Sequence, residues 1–190
     1  ETLWRFVFKG ILRGHLFNAD PHPGNYLFRD NGEVVFLDFG CVQTIEEKHR
    51  ALAEAMHLAA SARDHAAFGK HAFAIAHLPA GPMGDAAVSY SIEAFRPLGE
   101  SPWHMDRAFV ASLVERFKSI AQLARKVDAD QVATMPSHIL FMNRLQFGFY
   151  SVLARLDVPV DYNKVEAIFL AEPMVVPVDA LGTTASADAR

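Results

Sequence analysis

Three polar residues in the stretch Asn18–Gly40, NADPHPGNYLFRDNGEVVFLDFG, have the types and order that a Mg²⁺–nucleotide site needs: Asp20, Asn25 and Asp38. Phosphoryl transfer asks little covalent help of a protein, so the work is positioning and neutralisation of charge by metal. Mg²⁺ is a hard ion that keeps several waters and takes one or two protein oxygens besides phosphate. Asp38 would supply a carboxylate to that ion, and the Asn25 amide oxygen would hold a second one. Asp20 would accept a hydrogen bond from an attacking hydroxyl and aim it. Pro21 and Pro23 fix φ in the connecting loop, and Gly24 allows φ > 0 just before Asn25.

The elements around these residues support that chemistry. Asp20 and Asn25 stand five positions apart, the offset within the kinase catalytic loop H-R-D-x-x-x-x-N. An apolar run at Tyr26–Phe28, a turn signal at Asp30-Asn31-Gly32 and a second run at Val34–Leu37 predict a β-hairpin. The hairpin runs into Asp38-Phe39-Gly40, a DFG sequence, and would carry Asp38 back beside the loop. Each piece has a plainer reading when taken alone. Asp-Pro-His-Pro-Gly-Asn is ordinary turn chemistry, and a lone Asp-Phe-Gly arises by accident. Their order across one hairpin is what favours function. His22 reads as a loop histidine satisfied by backbone, with phosphate or metal contact as the alternative. Cys41, next to the DFG, reads as a small buried residue rather than a modifiable thiol.

At this point the run Ala19-Asp20-Pro21-His22-Pro23-Gly24-Asn25, followed by Leu37-Asp38-Phe39-Gly40, closely resembles the UbiB/ADCK family of atypical kinases. These are protein-kinase-like proteins tied to ubiquinone biosynthesis and lipid metabolism. The resemblance extends more loosely from about Leu3 to Leu156, including an Arg-containing apolar helix around Arg144. It implies that Asp20 corresponds to the catalytic-loop Asp, Asn25 to the metal-binding Asn and Asp38 to the DFG Asp. The family usually has His where this chain has Asn18, and Asn cannot carry a proton. The family's Lys-x-Gly-Gln motif is absent, as are the nucleotide-covering loop and the Lys–Glu pair of a kinase N-lobe, since only nineteen residues precede Asp20. The expectation is therefore a C-terminal lobe.

Composition narrows the class. The 190 residues suffice for one domain with a real core, and 51% hydrophobic with 21% charged residues is globular. A net charge of −4 and no Lys/Arg cluster argue against nucleic-acid binding. The single cysteine excludes an internal disulfide and a cysteine-based zinc site, and suits a reducing cytoplasm. The N-terminal residues do not read as a signal peptide, and no apolar run approaches the roughly 18 residues of a membrane span.

Along the chain, residues 2–17 are predicted helical, with Leu3, Trp4, Val7, Phe8, Ile11 and Leu12 inward, despite Gly10 and Gly14. Thr44-Ile45-Glu46-Glu47 has the form of a capping box opening a helix over 45–62. A helix so soon after the DFG leaves little room for the activation segment of a conventional protein kinase, and favours a small-molecule or lipid acceptor or plain ATP hydrolysis. Asp64 should cap a helix over 65–77 that ends before Pro79 and Gly81. Further helices are predicted over 85–96, 105–126, 136–156 (opened by Pro136) and 162–170, with a break at Pro97–Pro102. Phe109, Leu113, Val114, Phe117, Ile120, Ala121 and Ala124 are expected inward on the first long one. Ile139, Leu140, Met142, Leu145, Phe149, Val152 and Leu153 are expected inward on the second. Arg144 would either brace a site carboxylate or form a helix-edge salt bridge. Gly148 should permit close helix packing. His57, His65, His71 and His77 lack zinc spacing and read as surface or satisfied residues. Met83, Phe95, Trp103 and Met105 would be buried in a helical lobe or face lipid or a partner, and no basic stripe supports the membrane reading.

These readings together predict a mostly α (α+β) fold, a protein-kinase-like C-lobe over residues 1–171 with one small β-hairpin, and a loose polar tail over 172–190. Mg²⁺ and ATP are the expected cofactors, and an isoprenoid or quinone-type lipid or other small hydroxylated molecule the expected substrate class. The resemblance implies support of ubiquinone or isoprenoid-lipid synthesis, with peripheral membrane contact in some relatives. Two alternatives stand. One is a small-molecule phosphotransferase of aminoglycoside or choline kinase type, which shares the Asp, Asn, Asp order. The other is a non-catalytic binding module, for which a lobe without its nucleotide lid would bind nucleotide weakly and not turn it over.

Overall fold

The computed structural model describes residues 1–78, 80–124 and 137–172. Helix α1 (Thr2–Arg13) buries Leu3, Trp4, Val7, Phe8, Ile11 and Leu12, the stripe that the helical spacing marks out. It stops four residues short of the expected end. Gly14 turns its N–H to the carbonyls of Lys9 and Gly10, and His15 takes a left-handed φ of 56°. The chain then doubles back as strand β1 (Leu16–Asn18), so close that a Cβ on Gly10 would lie 2.8 Å from the Leu16 carbonyl oxygen. The two glycines that weaken a long-helix reading are thus the residues that let the helix end and the strand return.

Strands β2 (Tyr26–Phe28) and β3 (Val34–Phe36) form the expected hairpin, Tyr26 opposite Phe36, with Gly32 at φ 84° in its turn. Strand β4 (Val42–Thr44) pairs antiparallel with β1, Asn18 opposite Val42 and Leu16 opposite Thr44. That pairing overrides the capping box. Thr44 is held extended in the ladder, Glu46 precedes helix α2 (Glu47–Ser61) without a side-chain cap, and the Glu47 carboxylate binds Arg50 instead.

Five further helices, and one short one, complete the helices of the described residues. Helix α3 (His65–Ala76) is capped by Asp64, which accepts from Ala67 N at 2.9 Å. Helix α4 (Pro82–Ala94) begins three residues before the sequence expectation, because Pro82 needs no N–H partner in the first turn and Gly81, at φ 103°, leads into it. The expected break at Pro97–Pro102 contains the single turn α5 (Arg96–Gly99). Helix α6 (Arg107–Ala124) starts where Asp106 accepts from Phe109 N at 2.7 Å. Helix α7 is Ser137–Leu156, and α8 (Tyr162–Leu170) has the expected limits, with Asp161 capping Lys164 N. Strands β5 (Trp103–His104) and β6 (Pro159–Val160) make a third two-stranded pair, so the described residues hold three small antiparallel sheets rather than one hairpin. Pro79, the expected helix termini at 125–126 and Pro136, and the tail from residue 173 lie outside the described residues. So do the side chains of Ala124, Ile139, Leu140 and Met142.

The fold is mostly helical with small sheets at its margin. Helix α1 is central: α2 and α8 pack on it, and Trp4 contacts Phe8, Phe149 and Tyr162. Two polar clusters are sealed into these contacts. His57 on α2 and Trp4 on α1 both bind the buried Glu166 on α8, at 2.8 and 2.9 Å. Arg13 and Arg50 bind the Leu12 carbonyl and share Glu54, which satisfies the C-terminal end of α1. Met105 is fully buried and Phe95 and Trp103 pack against the core, which favours burial over an exposed apolar face for that segment. Among the described residues no helix is long and apolar enough to cross a membrane.

Candidate active site

Two strand ladders end at the same place. The β1–β4 ladder continues one step beyond Asn18, with Ala19 N donating to Cys41 O at 2.8 Å. The β2–β3 ladder continues one step beyond Tyr26, with Leu37 N donating to Asn25 O at 3.0 Å. The next residues are Asp20 and Asp38, so each emerges at a ladder end. Asn18 joins them: its Nδ2 donates to the Asp38 carbonyl at 2.6 Å, and its Oδ1 accepts from Asp20 N at 3.0 Å. Asn25 completes the unit, its Nδ2 donating to the Asp20 carbonyl and to Asp20 Oδ2, both at 3.2 Å. All three residues singled out from the sequence therefore belong to one hydrogen-bonded cluster.

Helix α7 supports the cluster from outside. Arg144 Nη2 donates to Asp20 Oδ1 at 3.2 Å, which decides between its two sequence readings in favour of the carboxylate brace. One turn on, a Cβ on Gly148 would lie 2.6 Å from Pro21 Cγ, so the close packing expected of Gly148 is made against the Asp20 loop itself. Pro21 is buried there while Asp20 stays partly open to solvent. His22 accepts from Gly24 N at 3.1 Å and starts a short 3-10 turn, the backbone-satisfied role. Gly24 does not use the positive φ open to a glycine; a Cβ there would crowd the His22 ring at 3.0 Å. Cys41 is half-buried against the core, less enclosed than the sequence reading has it.

The donor set suits a hard cation. Asp38 Oδ1 accepts from Gly40 N at 2.7 Å, and among the described residues Asp38 Oδ2 and Asn25 Oδ1 accept no hydrogen bond. With the Asn25 amide nitrogen turned onto Asp20, its oxygen is the atom left to face a ligand. Two hard oxygens, with water and phosphate filling the remaining positions, are what Mg²⁺ takes from proteins. Among the described residues no group of three or more His, Cys, Asp or Glu could hold a metal, and His57 is paired with Glu166. Two participants carry little sequence signal. Asn18 reads there as a departure from a family histidine, yet it ties the two carboxylate segments together. Tyr26 reads as an apolar strand residue, yet burial and the nearby Asp20 charge push its hydroxyl up to about 12. Leu27, Phe28, Leu37 and Phe39 lie about half exposed around this edge, a rim of apolar surface beside the polar cluster.

A buttressed carboxylate five residues before an amide, with a second carboxylate returned by a hairpin, is an arrangement able to hold a cation and orient a hydroxyl. Residues 1–72, which contain all of it except the α7 brace, match the family model of the ABC1 atypical kinase-like domain. An uncharacterized protein of Mycobacterium tuberculosis is 42% identical over 65 residues, 34% of this chain and 13% of that protein. The chloroplastic protein ACTIVITY OF BC1 COMPLEX KINASE 3 of Arabidopsis thaliana is 36% identical over 70 residues, 36% of this chain and 10% of its own length. A Synechocystis protein is 45% identical over 40 residues, 21% of this chain and 6% of that protein. The matched segment thus spans roughly a tenth of these relatives.

Proposed function

We propose that this chain carries the metal-binding half of an ATP-dependent atypical kinase or ATPase site of the UbiB type, within a kinase-like C-terminal lobe. The observation that carries the reading is the Asn18-centred cluster, which puts Asp20, Asn25 and Asp38 together through backbone ladders and the Arg144 brace. Asn25 Oδ1 and the Asp38 carboxylate would hold Mg²⁺, which when bound neutralises phosphate charge and fixes the geometry of the nucleotide. Asp20, aimed by its hydrogen bonds to Arg144 and Asn25, would accept a hydrogen bond from the attacking hydroxyl or water. The matches to the ABC1 atypical kinase-like domain and to a protein named as a kinase support the phosphotransferase class.

The acceptor is a small hydroxylated molecule or an isoprenoid or quinone-type lipid rather than a peptide. Helix α2 begins seven residues after Gly40, at Glu47, with β4 filling half of the gap, so the segment that docks peptides in protein kinases has little room. A cytoplasmic site with peripheral access to membrane lipid fits that acceptor class. The same geometry also suits an amino-alcohol phosphotransferase, and a panel of such acceptors separates the two. The test of the reading is Asp38→Asn, which removes the anionic ligand. Mg²⁺-dependent nucleotide binding, followed by calorimetry with and without the metal, should be lost; binding equal to that of the unaltered protein would overturn the assignment.

A further inference from the structure

Behind the site, on the far side of α7, lies a partly open cavity of about 140 Å³ lined by residues of α1, α2, α3, α4 and α7. Its walls are mostly apolar: Phe8, Met56, Ala72, Ala94, Phe95 and Phe149. The volume is close to that of an apolar cavity of about 150 Å³ known to admit a benzene ring. Polar groups join them from Tyr90, Ser91, Asn143, Gln146 and Tyr150, and from the buried His57, whose ring lies between those of Phe8 and Phe95 at 5.0 and 4.9 Å. Its Nδ1 faces both oxygens of the buried Glu166 carboxylate, at 2.9 and 2.8 Å. With Nδ1 turned to that carboxylate, Nε2 is the ring nitrogen left for a further partner. Among the described residues no group donates to Nε2. The neighbouring hydroxyls are already committed, Tyr90 to Gln146 Oε1 at 3.0 Å and Tyr150 to the Ala94 carbonyl at 2.9 Å. The cavity therefore offers space for one ring between mostly apolar walls, with one imidazole nitrogen beside it.

We propose that this cavity is a binding site for a small neutral aromatic molecule bearing one hydroxyl, a phenol-class ligand, whose O–H donates to His57 Nε2. The site is separate from the Asp20 cluster but shares α7 with it: Arg144 and Gly148 face the Asp20 loop, while Leu145, Gln146 and Phe149 line the cavity. The proposal stands without any assumption about nucleotide chemistry.

The experiment is an amide-resolved NMR titration of the chain with phenol and with anisole, which keeps the ring and the oxygen but lacks the donor. Saturable shifts at the amides of Ala72, Ala94 and Phe149 are expected with phenol, and anisole should bind roughly three- to tenfold more weakly for want of one hydrogen bond. Ala72→Leu, which fills the cavity, should abolish phenol binding while leaving the Asp20-loop resonances in place. Ala94→Leu fills the same space from α4 and takes its place if Ala72→Leu does not fold. Absence of saturable shifts in the unaltered chain, or full phenol binding in a folded cavity-filled variant, would overturn the proposal. Equal affinity for anisole would overturn the assignment of His57 as the acceptor.

Discussion

Single side chains at the site do several jobs at once, and their separate contributions are measurable. Asn18 makes two hydrogen bonds, one to each carboxylate segment. Asn18→Ala should cost about 1–2 kcal/mol of stability, from two lost hydrogen bonds at a partly exposed position, and should weaken Mg²⁺–nucleotide binding because Asp38 is no longer tied to the Asp20 loop. A variant with lowered thermal stability and unchanged nucleotide binding would contradict the bridging role. Arg144 presents the opposite balance. Its ion pair with Asp20 is largely solvent-exposed, so it contributes about 0–1 kcal/mol to folding. Arg144→Ala should therefore leave the melting temperature nearly unchanged while lowering turnover measured with the nucleotide-covering half present, since Asp20 loses the group that aims it. Parallel thermal melts and rate measurements on this variant distinguish bracing from packing.

At the scale of elements, the site exists because helix and strand come unusually close at a few glycines. Gly148 lets α7 lie against Pro21, and the gap would close to 2.6 Å with a single added carbon. Pro21 is buried and its ring is rigid, so Gly148→Ala must displace either the loop or the helix. Overpacking of this kind costs about 1–3 kcal/mol, visible as a lower denaturation midpoint, and it should shift the resonances of Asp20 and Asn25. A midpoint unchanged within error would show that the loop yields without strain. Gly10 plays the same part for β1, where the obstacle is the Leu16 carbonyl. The helix-to-strand reversal at Gly14 and His15 follows from that contact and sets where the first ladder ends.

For the molecule as a whole, folding is coupled to the ionisation of buried groups that tie distant segments. Glu166 accepts from both Trp4 and His57 inside the core. Glu166→Ala leaves two buried donors without partners and should destabilise the fold by about 3 kcal/mol, whereas Glu166→Gln keeps part of the network and should cost less; denaturant titrations compare them directly. The tyrosines act in the alkaline range. All four, Tyr26, Tyr90, Tyr150 and Tyr162, are held above the ordinary phenol value, chiefly by burial, with Tyr26 and Tyr162 pushed up to about 12. The folded chain thus retains protons that the unfolded chain releases near pH 10. The resulting stability is complete below that pH and is lost as pH rises through about 12. Denaturation midpoints should fall steadily across this interval, and phenolate absorbance should rise there rather than near 10.

What the sequence determined by itself was local. Asp64 as a cap, the Tyr26–Phe36 hairpin, the buried stripe of α1 and the limits of α8 all follow from propensity, turn chemistry and periodicity within a few residues. The order of Asp20, Asn25 and Asp38 across one hairpin was legible there too, and the structure joins the three in one hydrogen-bonded cluster. Tertiary structure decided the rest, and it did so wherever a distant partner competed with a local preference. Thr44 left its capping box for a strand opposite Leu16. Gly24 met the His22 ring rather than a left-handed turn. Arg144 chose Asp20, 124 residues away, over a neighbour on its own helix, and His57 met Glu166 across 109 residues. The cavity beside His57 has no local signature, since its walls come from five helices. Backbone pairing and burial act on whatever the fold brings within a few ångströms, and spacing along the chain carries no record of that proximity.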